Sequence, residues 1–186
     1  PSAEKEVDYY LNPTELFRWI NYRRWDGAKA RVLSHPDECS TWIVSRHSGD
    51  GRVLWRHLPL HLVCMQSGSA KGDEGKSKSA EELAAQQQQV DELLDALLDV
   101  HPNAAASPDD QGMLPLHLAV ANAESGLPNE TVLGRLLLAN PRAVEQISGR
   151  RVRTVHSDRL RLRREVPAGQ GEPSSGSVED GVRHSP

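Results

Sequence analysis

The chain has 186 residues, with 22 Lys and Arg, 26 Asp and Glu, two Cys, 37% apolar residues, a net charge of −4 and a mean hydropathy of −0.58. That length suits one compact domain or a short repeat array, and the apolar content is too low for every residue to join a core. No apolar run reaches the ~18 residues of a membrane helix, and two cysteines exclude a disulfide-stapled secreted scaffold.

The first residues, Pro1-Ser2-Ala3-Glu4, carry neither a basic nor an apolar leader segment, so a signal peptide is expected to be either absent or removed ahead of Pro1. Charge is uneven. Residues 1–57 hold nine basic and eight acidic side chains, 58–149 hold five and thirteen, and 150–186 hold eight and five. An acidic middle opposes phosphate binding. The basic cluster is Arg150–Arg164, with seven arginines.

Residues 1–12 read as a lead-in. Asn12-Pro13-Thr14-Glu15 marks a helix start, with Asn12 as cap and proline in the first turn. Leu16, Trp19 and Ile20 then face inward. Arg18, Trp19, Tyr22, Arg23, Arg24 and Trp25 interleave bases with rings, as a nucleic-acid surface would. Asp8, Glu15 and Asp26 cancel much of that charge, so an amphipathic helix is the preferred reading. Val32-Leu33-Ser34-His35-Pro36 stops a helix, because proline cannot continue one. Trp19, Trp25, Trp42 and Trp55 all precede residue 58. They suit a bulky core at one end of an array, and Trp42 or Trp55 could instead line a partner groove.

Leu58-Pro59-Leu60-His61-Leu62-Val63-Cys64 reads as a short helix begun by proline. Cys39, His57, His61 and Cys64 could be taken for zinc ligands, but their spacing matches no standard zinc frame, and no metal is expected. Residues 67–78 are rich in Gly, Ser and Lys and read as a flexible insert. Within it, Gly75-Lys76-Ser77 ends a relaxed phosphate-loop pattern. Asp73 and Glu74 stand where phosphates would lie, which makes nucleotide binding a remote alternative.

Ser79-Ala80-Glu81-Glu82 is a capping box. Val90, Leu93, Leu94, Leu97 and Leu98 form the apolar stripe behind it, closed by His101-Pro102. Ser107–Met113 holds turn residues, with Gly112 able to take a positive φ. Leu114-Pro115-Leu116-His117-Leu118 then repeats the earlier motif. Val132, Leu133, Leu136 and Leu137 form the next stripe, closed by Asn140-Pro141. Each proline is expected to open an extended return segment. Asn129-Glu130-Thr131 is a glycosylation sequon without a secretory signal to support its use. Residues 150–186 run from basic to Pro/Gly/Ser-rich and read as a disordered tail.

The order of turn, short helix, second helix, proline and return resembles the ankyrin repeat. Asp109-x-x-Gly112-x-Leu114-Pro115-Leu116-His117-x-Ala119 is similar to that family's core, with Leu in place of Thr, and Leu58-Pro59-Leu60-His61 matches the same core. The two motifs stand further apart than the family's period of ~33 residues. The resemblance implies an all-α solenoid of about three helix pairs over 13–149, in units of about 13–45, 54–106 and 109–149. It implies that His61 and His117 are structural, tying each turn to the next.

It also implies a non-catalytic, intracellular protein-binding module, cytoplasmic or nuclear, without a cofactor. Its contacts would be Asp110, Gln111, Met113, Ala121 and Asn122, with Leu54, Trp55, His57, Met65 and Gln66 in the preceding unit, all exposed by position. No nucleophile–base pair or metalloprotease motif points to catalysis. The acidic middle favours a partner with a basic patch. The alternatives are a nucleic-acid or anionic-surface tether acting through Arg150–Arg164, and a degenerate repeat chain without a selected function.

Overall fold

In chain order the elements are β1 (Glu6–Asp8), α1 (Glu15–Asn21), α2 (Trp25–Ser34), β2 (Trp42–Arg46), β3 (Val53–His57), α3 (Pro59–Ser67), α4 (Ala80–Val100), α5 (Pro115–Asn122) and α6 (Glu130–Ala139). The computed structural model describes residues 4–67, 79–122 and 129–145, all within the unit Pro1–Val155.

Helix starts follow local chemistry. Thr14, not Asn12, caps α1, its hydroxyl accepting from the Phe17 amide at 3.2 Å. Ser79 and Glu82 close the capping box of α4 reciprocally, at 3.2 and 2.9 Å. Asn129 Oδ1 accepts from the Thr131 and Val132 amides at the start of α6. Helices α3 and α5 begin on Pro59 and Pro115, where the missing N–H costs no helical bond.

The basic-aromatic run 18–25 spans two helices rather than one. Arg23 has a φ of 57°, a left-handed turn between α1 and α2. Leu16, Phe17 and Ile20 are the buried residues of α1, and Trp19 is half-buried.

The three proline stops share one geometry. His35, His101 and Asn140 have φ/ψ of −136/69°, −137/72° and −141/82°. Each donates its amide to the carbonyl four residues back, as a helix C-cap does. The extended return expected after each proline is instead a 3-10 turn, over Pro36–Ser40, Pro102–Ala106 and Pro141–Val144. Proline's fixed φ suits a first helical position, so it ends one helix and begins the next turn. Two of these turns close alike. Thr41 Oγ1 donates to Asp37 O at 2.9 Å, and Ser107 Oγ donates to Asn103 O at 3.0 Å.

The helices pair in sequence, α1 on α2 and α5 on α6, with α3 on α4 between them. Helices α1, α3 and α5 pack in one row, and α2, α4 and α6 in another. The core between them holds Leu16, Phe17, Leu60, Leu94, Leu114 and Leu136, each at most 1% exposed.

The expectation of an all-α solenoid is overturned. Six α-helices share the described residues with a three-stranded mixed sheet in the order β1-β2-β3. β2 and β3 form an antiparallel hairpin, pairing Ile43 with His57 and Ser45 with Trp55. β1 lies in the expected lead-in and pairs parallel to β2, Val7 against Ile43. Trp42-Ile43-Val44 and Val53-Leu54-Trp55 are, apart from Leu54, β-branched or aromatic, and they bracket a Gly49-Asp50-Gly51 tip whose Gly51 has φ 70°. Those residues favour paired strands over a short turn.

One charged side chain ties the strands together, and another ties the first two helices to the 3-10 turn after them. Arg56 on β3 pairs with Glu4 and, at 3.0 Å, with Glu6, while its guanidinium lies 3.8 Å over the Trp42 ring. Glu38 is 8% exposed and joins three elements. It accepts from the Leu16 amide at 2.8 Å and takes two bonds from Arg31, at 3.0 and 2.6 Å.

Candidate functional site

Two neighbouring turns form a polar region held by backbone hydrogen bonds. One is the end of β3 leading into α3. The other is the turn 109–113 leading into α5. Asp109 organises the second turn. Its Oδ1 accepts from the Gln111 and Met113 amides, both at 2.8 Å. Gly112, at φ 80°, lets the chain reverse so that the Asp109 amide donates to Met113 O at 3.0 Å.

The two turns are tied side by side. The Arg56 amide donates to Asp110 Oδ1 at 2.9 Å, across 54 residues of sequence. His61 Nδ1 accepts from the Leu58 amide at 3.1 Å, so its Nε2 carries the proton and donates to Ser107 O at 3.0 Å. His117 repeats the first of these bonds, Nδ1 accepting from the Leu114 amide at 3.1 Å.

His57 sits at the joint. Its Nε2 stands 3.8 Å from Asp109 Oδ2, beyond hydrogen-bond reach. Its Nδ1 is buried without a partner. The ring stacks on Trp55, centroids 5.2 Å apart at 22°, and Trp55 in turn stacks on Phe17 at 6.3 Å. Burial pushes the His57 imidazolium down to about 4, and burial with the neighbouring His57 pushes His61 down to about 3. Both rings are therefore neutral at pH 7. Burial raises the Asp109 carboxyl to about 6 against the pull of the Met113 and Gln111 amides.

The expected contact residues divide. Leu54 is 42% exposed, and Asp110 and Gln111 are also exposed. Trp55, Met65, Gln66 and Ala121 are half-buried, with Gln66 Oε1 buried and unpartnered. His57 and Met113 are not exposed as expected, being 8% exposed each. They occupy one register position, the residue before Leu58-Pro59 and before Leu114-Pro115, and that position points under the turn. Asn122 ends α5, and its side chain lies outside the described residues. Leu58, Pro59, Leu60 and His61 are all buried, as are Leu114, Pro115 and Leu116.

Of the four thiols and imidazoles weighed as zinc ligands, Cys39 and Cys64 are free and buried, and both His61 nitrogens are engaged by backbone. Burial raises the Cys39 thiol to about 11 and Cys64 further. Trp42 is buried under Arg56 rather than lining a groove. Sequence reasoning missed the joining of His57 with Asp109 and Asp110. The signal was available as a histidine standing where the next unit has methionine. Gly75-Lys76-Ser77 and Arg150–Arg164 lie outside the described residues. No helix among the described residues is long and apolar enough to cross a membrane. No family model, curated protein or solved structure matches the chain.

Proposed function

We propose that the chain is a non-catalytic, intracellular protein-binding module of the ankyrin-like kind, in which the row of turn tips is the contact face. The observation that carries this reading is the Arg56 amide bond to Asp110 at 2.9 Å. It couples two successive tips, so Leu54 and Gln111 are presented from backbone already held in place. Pre-organised backbone lowers the ordering cost of association, which is what a recognition surface needs. The two Leu-Pro-Leu-His turns, each with its 3.1 Å histidine-to-amide bond, support the repeat-like character of the tips. The acidic charge of residues 58–149 suits a partner with a basic patch.

The test is affinity capture with the full chain, read by mass spectrometry, beside a Leu54→Arg, Gln111→Arg double variant. Both positions are exposed, so circular dichroism should not change. A protein retained by the wild type and lost by the double variant supports the reading. An unchanged set of captured proteins overturns it. A third bait with the arginines of Arg150–Arg164 changed to Gln addresses the tether alternative. Retention of nucleic acid or lipid alone, lost with those arginines, would replace the proposal.

A further inference from the structure

His57, Asp109 and Asp110 each offer one ligand atom, and these atoms all lie within 4.8 Å of one another. The His57 side chain is 10% exposed and the Asp109 side chain 3%. His57 Nδ1 is buried without a hydrogen bond, and Nε2 faces Asp109 Oδ2 at 3.8 Å. A buried imidazole without a partner is uncommon, because water or protein normally satisfies such groups.

The contacts of Asp109 within its own turn fix it rather than compete for it. Asp109 spends Oδ1 on two backbone amides, which leaves Oδ2 turned to His57. Asp110 is oriented by the Arg56 amide. The Arg56 guanidinium, the nearest cation in sequence, is drawn off to Glu4, Glu6 and the Trp42 face. His61 is fully used by Leu58 and Ser107.

We propose that His57, Asp109 and Asp110 form a binding site for a zinc-class divalent ion, clamping the end of β3 to the turn before α5. Two metal–ligand bonds of about 2.1 Å, opened to about 130°, span the 3.8 Å between His57 Nε2 and Asp109 Oδ2. Closing that gap by a few tenths of an ångström gives the tetrahedral edge of about 3.4 Å. One imidazole with two carboxylates favours Zn2+, Co2+ or Mn2+ over Mg2+ and Ca2+, which prefer oxygen alone. Two carboxylate charges match one dication. The exposed Asp110 leaves the remaining coordination position open to water. The inference does not depend on the protein-binding reading, since it concerns the joint and not the partner.

The test uses the full chain, stripped with chelator and dialysed. Zn2+ is titrated by calorimetry. Co2+ is titrated in parallel by visible absorption and by quenching of tryptophan emission, because Trp55 stacks on His57 at 5.2 Å. The expected result is one site with a Kd of about 10 µM or tighter. Asp110→Asn, at an exposed position, should weaken binding at least about 10-fold with circular dichroism unchanged. His57→Met, the residue that Met113 supplies at the equivalent place, should abolish both binding and Co2+ quenching while keeping the packing. Absence of saturable Zn2+ binding overturns the proposal. So does equal affinity in the wild type and both variants, which would place the ion on other histidines or carboxylates.

Discussion

His61→Leu and His117→Leu should differ sharply in cost, although the two histidines occupy the same place in the same four-residue motif. Leucine keeps much of the volume and removes the ring nitrogens. At residue 61 it strands the Leu58 amide and the Ser107 carbonyl, whose bonds to His61 are 3.1 and 3.0 Å long at a fully buried ring. Each stranded buried group costs about 1–3 kcal/mol, so the expected loss is about 3–5 kcal/mol. At residue 117 the ring is half-buried, and among the described residues it holds one bond, from the Leu114 amide. Its loss resembles removal of a helix cap, about 1 kcal/mol. Urea unfolding followed by tryptophan emission reads the difference, since Trp42 lies 5.7 Å from His61. His61→Leu should lower Tm by about 10 °C or more. It should also speed hydrogen exchange of the Leu58 amide, which loses its acceptor. Equal losses within about 0.5 kcal/mol, or a His61→Leu cost below about 1 kcal/mol, would refute the claim that this histidine couples neighbouring units.

Glu38→Ala leaves the Leu16 amide and the Arg31 guanidinium without their shared acceptor, and should cost about 3 kcal/mol in urea unfolding. The two helical glycines should respond with opposite sign. A Cβ at Gly27 would meet Trp19 Cε3 at 2.8 Å, so Gly27→Ala should destabilise by about 1 kcal/mol or more despite its better helix propensity. A Cβ at Gly134 meets nothing within 4 Å, so Gly134→Ala should raise stability by up to about 1 kcal/mol. Cys39 and Cys64 should resist Ellman's reagent in the folded chain and react once denaturant is added, because burial raises both thiols. Fast reaction of either thiol in native buffer would count against that burial.

What sequence pattern could convey was local. The Ser79 capping box, the prolines at 59 and 115, and the stripe through Val90, Leu93, Leu94 and Leu97 each rest on residues within one helix, and the structure places all of them there. The sheet needed non-local information. β1 is three residues long and carries no alternating pattern of its own, and its pairing with β2 spans 36 residues from Val7 to Ile43. The β2–β3 hairpin was legible in principle, from aromatic and β-branched runs around Gly49-Asp50-Gly51. A helical repeat order assigns that stretch to a return and a turn, and it masks the strand preference. The proline stops show the converse. The stop was local and correct, but the segment beyond it depends on proline's φ serving the next turn, so an extended return became a 3-10 turn three times.

The register of the two Leu-Pro-Leu-His motifs makes residue 57 informative. A repeat position that packs under a turn is chemically simple, and Met113 fills it with a flexible apolar chain at 8% exposure. His57 fills the equivalent place at the same 8% exposure, yet its Nδ1 is buried there without a hydrogen bond. Packing alone would be served better by methionine, since an unpartnered buried imidazole forfeits its hydration. Asp109 and Asp110 of the following turn face residue 57. The carboxylates of Asp109 and Asp110 beside the ring are what the proposed cation would join to the histidine. The same comparison explains why exposure by repeat position failed as a guide here. Strand β3 displays residue 54 and the 109–113 turn displays residues 110 and 111, while the residue entering each short helix turns inward, and in one unit that inward residue is polar.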